Sequence, residues 1–187
     1  GANNDRFGML KGMCSCRVVE VSDFAPFECP LVGDYNRWNM ALAWNCAREF
    51  GATEKMARAA LIGFSLPGDR WRRSEMDGVT FISDCYNANP TSMMVALEAF
   101  AAEPCAGRRI AVLGDMFELG ADSARLHEEV KRKASSLPLD KVIYVGDRFG
   151  GISRDAAKSE LFGYVRKGDS VLLKASHGVA LNRILEP

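Results

Sequence analysis

Residues 79–103 have the sequence VTFISDCYNANPTSMMVALEAFAAE, and this stretch decides the fold class. The apolar run at residues 79–83 predicts a short buried strand. The polar segment that follows ends at Pro90, which suits the first turn of a helix. The residues after Pro90 have a helical composition. A strand that leads directly into a helix in this way is the repeating unit of an α/β fold.

The same alternation continues to the end of the chain. Further strands are predicted at residues 109–113, 141–145 and 170–174, and further helices at residues 123–136 and 180–185. Continuously apolar strands indicate a parallel sheet that is covered on both faces. We therefore predict a doubly wound, mostly parallel α/β domain over residues 79–187. The connection at residues 148–169 holds a weak helical pattern and a candidate strand at 161–165, so either the crossover is short or residues are missing from it.

Two helices are predicted before this domain. The first covers residues 36–50 and ends at Gly51, a residue type that is common just past a helix end. Thr53 is well placed to cap a second helix over residues 54–64. Residues 1–33 are interrupted by Gly, Pro and Cys, and we interpret them as short strands and turns.

The segment SLPGDRWRRSEMDG (65–78) is rich in turn-forming and charged residues. This composition is typical of a connection between domains. We therefore divide the chain into a first part at residues 1–68, a linker at residues 69–78 and the α/β domain at residues 79–187.

Composition restricts the function classes. The 187 residues hold 24 Lys+Arg and 24 Asp+Glu, so the net charge is zero and the basic surface of a nucleic-acid-binding protein is not expected. No apolar run reaches the roughly 20 residues of a membrane span, and no signal peptide is recognised, so a cytoplasmic location is expected. The six cysteines form no CxxC pair, which favours reduced thiols and predicts no metal site.

Each predicted strand of the α/β domain is followed by a polar loop. These loops are residues 84–90, 114–120, 146–148 and 174–178. In an open parallel sheet, ligands bind beyond the carboxyl ends of the strands. Because Asp and Asn are also ordinary turn residues, one such loop alone would carry little weight. Four together predict a polar ligand site at this edge of the sheet.

Two groups of asparagines are candidates for ligand contacts. The segment DCYNANP (84–90) lies before a helix N-terminus, where free N–H groups attract a phosphate or carboxylate. The alternative is a plain turn in which Asn89 only caps the helix. Asn36 and Asn39 lie three residues apart on one helix face and could bind a purine edge, although Asn36 alone could be a cap.

Several catalytic motifs are absent from the sequence. It contains no GxxxxGK[ST] phosphate loop and no GxGxxG turn, and it also lacks GxSxG and HExxH. No complete catalytic site is therefore predicted in this chain.

Four stretches of the sequence resemble the Mur ligases. SDCYNANPTSMMVALEAF (83–100), RRIAVLGDMFELGADSARLHEEV (108–130) and DSVLLKASHG (169–178) are similar to the C-terminal domain of that family. GDYNRWNMALA (33–43) is similar to the end of its central ATP-binding domain. The pattern is most similar to the branch that adds D-alanyl-D-alanine to a UDP-N-acetylmuramoyl-tripeptide.

The resemblance implies an activity in peptidoglycan synthesis, and hence a role in cell shape and division. ATP phosphorylates the tripeptide carboxylate, the dipeptide amine attacks the acyl phosphate, and Mg²⁺ with positive side chains stabilises the negative charge. The partners implied are these small molecules, with no nucleic acid and no membrane, and the protein is expected to be a monomer.

The resemblance also assigns candidate site residues. Those that match nucleotide-binding positions are Asn36, Asn39, Arg70 and Asp84. Those that match the cleft entered by the dipeptide, or lie on the same rim, are Tyr86, Asn87, Asn89, Arg148, Lys174 and Ser176.

The sequence departs from the family pattern at three positions. Tyr35 replaces a histidine, Ser83 replaces the first of two acids, and His177 replaces an arginine. The family's phosphate loop, Mg²⁺ ligands and modified lysine have no match, so the chain alone is expected to be inactive. Two alternatives stay open: a Mur ligase that adds a different amino acid, and a ligase remnant that only binds a nucleotide or a partner.

Overall fold

The structure, a computed structural model, describes residues 7–31, 33–64 and 68–186. The chain divides into two compact units, Gly1–Ser65 and Leu66–Pro187. Within the described ranges, every helix is too short or too polar to cross a lipid bilayer.

The first unit is helical. Its helices are α1 (Phe7–Met13), α2 (Asp34–Glu49) and α3 (Glu54–Leu61). The predicted cap of α3 is confirmed, because the Thr53 hydroxyl accepts a hydrogen bond from the Met56 N–H at 3.3 Å. Gly51 has φ +85°, the left-handed conformation expected just after α2.

The short strands expected within residues 1–33 are wrong for the part that the structure describes, residues 7–31, which contains α1 and no strand. The apolar side chains of this segment pack on helix α2, and its backbone does not form part of a sheet. The ring of Phe24 lies 4.7 Å from that of Trp38, and the ring of Phe27 lies 5.3 Å from that of Trp44.

The second unit contains a five-stranded sheet in the order β1-β2-β5-β3-β4. Only β1 is antiparallel to its neighbour, and the other pairs are parallel. This confirms the predicted mostly parallel α/β sheet. The strands are β1 (Arg72–Met76), β2 (Val79–Asp84), β3 (Arg109–Gly114), β4 (Lys141–Val145) and β5 (Ser170–Lys174).

Helices cover both faces of this sheet. Helices α4 (Pro90–Ala102) and α5 (Ser123–Ser135) contribute to one apolar core, which includes Phe100 and Leu113. Helix α6 (Arg154–Tyr164) and the 3₁₀ turn Leu181–Leu185 contribute to the other. The doubly wound arrangement is therefore confirmed, and it leaves the carboxyl ends of the parallel strands as the open edge.

The linker expected at residues 69–78 is wrong over five of its ten residues, because Arg72–Met76 forms the edge strand β1. Its five residues are all exposed, and charged residues are common on edge strands because they discourage pairing with other chains. A tight turn at Asp77 and Gly78, both with positive φ, joins β1 to β2. The Asp-Gly pair was the available sequence signal for this hairpin.

The crossover at residues 148–169 contains a helix. Helix α6 occupies it, its first turn is capped by the Ser153 hydroxyl, and Ala157 and Leu161 are buried. The candidate strand at 161–165 is therefore wrong, because Leu161 faces the core as part of this helix. The last helix, expected at 180–185, is a 3₁₀ turn that follows Ala180 in a left-handed conformation.

Cys85 offers a chemical test of this packing. The side chain is buried, its thiol donates to the Leu173 carbonyl, and burial raises its pKa to about 12. At about pH 8 only roughly one thiol in ten thousand is then ionised. We expect iodoacetamide to label exposed Cys46 quickly and Cys85 only after denaturation, as read by mass spectrometry of peptides. Equal labelling rates in the native chain would show that Cys85 is not buried.

Candidate functional site

The loops at the carboxyl ends of the parallel strands are tied together by backbone hydrogen bonds. The Asp115 N–H after β3 donates to the Val145 carbonyl at the end of β4, at 3.1 Å. The Ser176 N–H after β5 donates to the Asp115 carbonyl, also at 3.1 Å. The polar edge predicted from the sequence is therefore one connected surface.

Asp115 is the centre of this connection, and it was not among the candidate residues. Its buried carboxylate accepts hydrogen bonds from the N–H groups of Arg148 (3.2 Å) and Phe149 (3.0 Å). Gly146 has φ +101°, and a Cβ there would collide with this carboxylate. Asp115 thus fixes the loop after β4. The only sequence signal was an Asp directly after a predicted strand.

Asp84 and Lys174 form an ion pair at the ends of neighbouring strands β2 and β5. The two residues are in register, and Lys174 Nζ lies 2.6 Å from Asp84 Oδ2. The lysine side chain is 2% exposed and the aspartate side chain is 19% exposed. Lys174 Nζ also donates to the Asn87 carbonyl at 3.3 Å. Lys174 was a candidate on the rim of the dipeptide cleft, but its ammonium is enclosed and bonded to groups of the protein.

Ser176 is also engaged within the protein. Its hydroxyl accepts a hydrogen bond from the Phe117 N–H at 3.0 Å and donates to the Ala88 carbonyl at 3.4 Å. The residue is buried. It therefore joins the loop after β3 to the loop after β2.

Some candidate residues of the loop after β2 are exposed, whereas others make hydrogen bonds that fix the loop itself. Asn89 caps α4, since its side-chain oxygen accepts from the Ser92 N–H at 2.8 Å and the Ser92 hydroxyl bonds back to the Asn89 N–H. Asn89 therefore caps α4, as the sequence allowed. Tyr86 and Asn87 are exposed, and Asn87 Oδ1 accepts from the Ala88 N–H.

Arg70 lies beside this loop. Its guanidinium carbon is 3.8 Å from the centre of the Tyr86 ring, a cation–π contact. Asp69 holds the same segment in place, because its carbonyl accepts from the Tyr86 N–H (3.1 Å) and its carboxylate accepts from the Ser83 hydroxyl (2.7 Å). Asp69 thus ties the segment that carries Arg70 to the end of β2, next to Asp84.

Arg148 lies at the opposite part of the edge. Its guanidinium carbon is 4.9 Å from the centre of the Phe117 ring, and Nη1 donates to the Met116 carbonyl. A guanidinium has five N–H donors, and the residue is exposed, so Arg148 has capacity for an anion.

Asn36 and Asn39 belong to the first unit. Helix α2 begins at Asp34 after Gly33, so Asn36 lies inside the helix and the capping alternative for it is wrong. Asn36 is buried, whereas Asn39 is exposed and open to a ligand.

His127 is a second residue that sequence reasoning missed. Its buried ring accepts from the Met116 N–H at Nε2 (3.1 Å) and bonds to the Ser123 carbonyl at Nδ1 (2.7 Å). One nitrogen therefore accepts and the other donates, which defines a neutral ring. The ring also packs edge-on against Phe149. His127 therefore anchors the loop after β3 to α5. The three-residue spacing between His127 and the buried Val130 is consistent with this structural role.

Metal ligands are not grouped in this part of the molecule. Over residues 7–31, 33–64 and 68–186, no three His, Cys, Asp or Glu side chains are placed to hold one ion.

Comparison with known proteins gives a consistent answer. The family described as "Mur ligase, glutamate ligase domain" matches residues 70–177. The UDP-N-acetylmuramoyl-tripeptide–D-alanyl-D-alanine ligase of Bacillus subtilis is 31% identical over 178 residues, which is 86% of this chain and 39% of that protein. The UDP-N-acetylmuramoylalanine–D-glutamate ligase of Desulfovibrio desulfuricans is 38% identical, over 66% of this chain and 27% of that protein.

A solved structure agrees with these relatives. The crystal structure of MurF ligase from Thermotoga maritima in complex with ADP is 29% identical, with a TM-score of 0.63, over 81% of this chain and 37% of that chain. The chain thus spans less than half the length of the proteins that it matches.

Proposed function

The chain belongs to the Mur ligase family, and from this premise we propose that it is the C-terminal part of a ligase that adds D-alanyl-D-alanine to UDP-N-acetylmuramoyl-tripeptide. The observation that carries this proposal is the loop after β2. It presents exposed Tyr86 and Asn87 between a capped helix and an ion pair, and its sequence YNANP favours the dipeptide-adding branch.

The first unit is proposed to be the end of a central ATP-binding domain. In this proposal residues 1–68 complete a domain whose larger part, with the phosphate loop, precedes them in the whole protein. ATP with Mg²⁺ supplies the phosphoryl group that activates the tripeptide carboxylate in the complete enzyme. Asn39 and Asn36 are proposed to contact the adenine, although only Asn39 is exposed.

Arg70 and Asp84 are proposed to bind the ribose and phosphate side of the nucleotide. The Asp84 carboxylate uses Oδ2 for Lys174, while Oδ1 has lone pairs suited to ribose hydroxyls. Arg70 is prepositioned by its stacking on Tyr86.

The dipeptide is proposed to bind along the loop after β2. Tyr86 and Asn87 provide a ring face and an amide, and the N-terminus of α4, capped by Asn89, favours a carboxylate nearby. Arg148 is proposed to pair with the dipeptide carboxylate. Ser176 contributes by holding the Ala88 carbonyl.

Two other functions are each supported by a particular observation. The similarity to a D-glutamate-adding ligase supports a Mur ligase with another amino-acid substrate. The three departures at Tyr35, Ser83 and His177 support a remnant that binds without catalysis. In each of these cases we propose a cytoplasmic, monomeric protein with small-molecule ligands.

A ligation assay distinguishes these functions. We expect the whole protein to join D-alanyl-D-alanine to UDP-N-acetylmuramoyl-tripeptide with ATP consumption, and to reject D-glutamate as the added group. The purified 187-residue chain should give neither ATP hydrolysis nor product. Ligation of D-glutamate would support the second function, and a whole protein without turnover would support the remnant. Turnover by the chain alone would contradict the proposed division of the site.

A further inference from the structure

Lys174 is the most deeply buried charged side chain at the open edge of the sheet. Its side chain is 2% exposed, and its ammonium has two hydrogen-bond partners, Asp84 Oδ2 at 2.6 Å and the Asn87 carbonyl at 3.3 Å. Removing an ammonium from water is unfavourable unless the group is paired and hydrogen-bonded. The geometry of these two bonds therefore determines where Lys174 can be.

Both partners belong to the loop proposed to bind ligands. Asp84 ends β2, and Asn87 lies three residues later, so one ammonium fixes the beginning and the middle of this turn. Ser176 lies two residues after Lys174 and bonds to the next carbonyl, that of Ala88. Two side chains from the end of β5 thus hold two successive carbonyls of the loop.

We propose that Lys174 is a positioning residue that orients the Asp84 carboxylate and the Asn87 peptide, and that it does not itself touch a substrate. Its ammonium is shielded from the open edge, whereas Asp84 keeps one carboxylate oxygen for a ligand. This inference rests on the proposed function, since the loop is held for the dipeptide and nucleotide that this function requires.

The first test needs no ligand. Amide resonances of the intact 187-residue chain are compared by NMR between wild type, Lys174→Met and the double variant Asp84→Asn/Lys174→Met. The double variant removes both charges and protects against a folding failure of the single one. We expect resonances of residues 84–88 to move while those of α5 stay in place. The matched control is Lys167→Met, which removes an exposed lysine of the same unit.

The second test uses D-alanyl-D-alanine with ATP as the probe. A positioning residue acts through its partners, so its effect on binding should be smaller when one partner, Asp84, is already changed. We expect Lys174→Met and Asp84→Asn each to weaken probe binding by about tenfold or more. The loss of affinity in the double variant should be smaller than the product of the two single losses. In the wild type, the Lys174 Nζ signal should keep its shift when the probe moves the Asn87 amide.

The outcomes separate this inference from the proposed function. Additive losses in the double variant, or a probe-dependent Lys174 Nζ shift, would overturn the inference and show direct contact with the ligand. Unchanged resonances of residues 85–88 in both Lys174 variants would overturn it whether or not the probe binds. A wild-type chain that ignores the probe while these resonances move would count against the proposed function and still support the positioning role.

Discussion

Replacing Asp169 with alanine should lower the free energy of unfolding of the second unit by about 3 kcal/mol, as expected when one partner of a buried ion pair is removed. The carboxylate precedes β5 and its side chain is 3% exposed. It bonds to the Arg108 guanidinium at 2.7 Å and also accepts the N–H groups of Arg108 (2.9 Å) and Arg166 (2.8 Å). The value lies at the low end for such pairs because Arg108 is partly exposed.

The same carboxylate predicts a pH dependence. Burial alone would raise the pKa of Asp169, but the hydrogen bonds from the Arg108 side chain and from the N–H groups of Arg108 and Arg166 outweigh it and lower the pKa. A carboxyl whose pKa is lower in the folded state stabilises that state fully above its unfolded pKa. This stabilisation is lost as the pH falls toward the folded value.

Urea denaturation of wild type and of Asp169→Asn across about pH 3 to 7 measures this effect. Wild type should lose stability below about pH 4, where the free carboxyl titrates. The asparagine variant should be less stable at neutral pH and should show a flatter acid dependence. Asp155→Asn is the matched control, since that side chain is 91% exposed. Parallel curves for wild type and Asp169→Asn would contradict the assigned role.

Replacing Leu113 with alanine should lower the free energy of unfolding of the second unit by about 2–5 kcal/mol. Leu113 is fully buried in β3, where it belongs to the same core as Leu97 and Phe100 of α4. The cost combines lost burial with a cavity that neighbouring strands on both sides prevent from closing.

Chemical denaturation followed by circular dichroism measures this loss. Met76→Ala is the matched control, because Met76 is a large apolar residue on the exposed edge strand, and its change should be within about 0.5 kcal/mol. A Leu113→Ala midpoint that equals the wild-type value would show that this strand does not lie in the core.

The sequence predicted the strands whose burial is visible as a run of apolar residues. Strands β3 to β5 are apolar because both of their faces are covered. Strand β1 has no apolar run, since all its residues are exposed, and its charged residues resemble those of a loop. The helical pattern of α6 was weak in the sequence because only two of its 11 residues, Ala157 and Leu161, are buried.

The position of the polar edge could be predicted, but the contacts within it could not. The order of strands and loops placed the polar residues at one edge, and exposed Tyr86 and Asn87 lie there. The sequence could not show which polar side chains already bond to other groups of the protein, because the bonding partners are distant in sequence. The bond between Lys174 and Asp84 joins residues 90 positions apart. A single sequence carries no signal for such a pairing.

Calorimetric titration of the 187-residue chain with D-alanyl-D-alanine, with and without ATP, tests the central claim most directly. We predict binding in the wild type that is lost in Asn87→Ala and retained in Asn182→Ala, a change at an exposed asparagine outside the proposed dipeptide loop. Absence of binding under both conditions, or binding that Asn87→Ala leaves unchanged, would contradict a dipeptide site on the loop after β2.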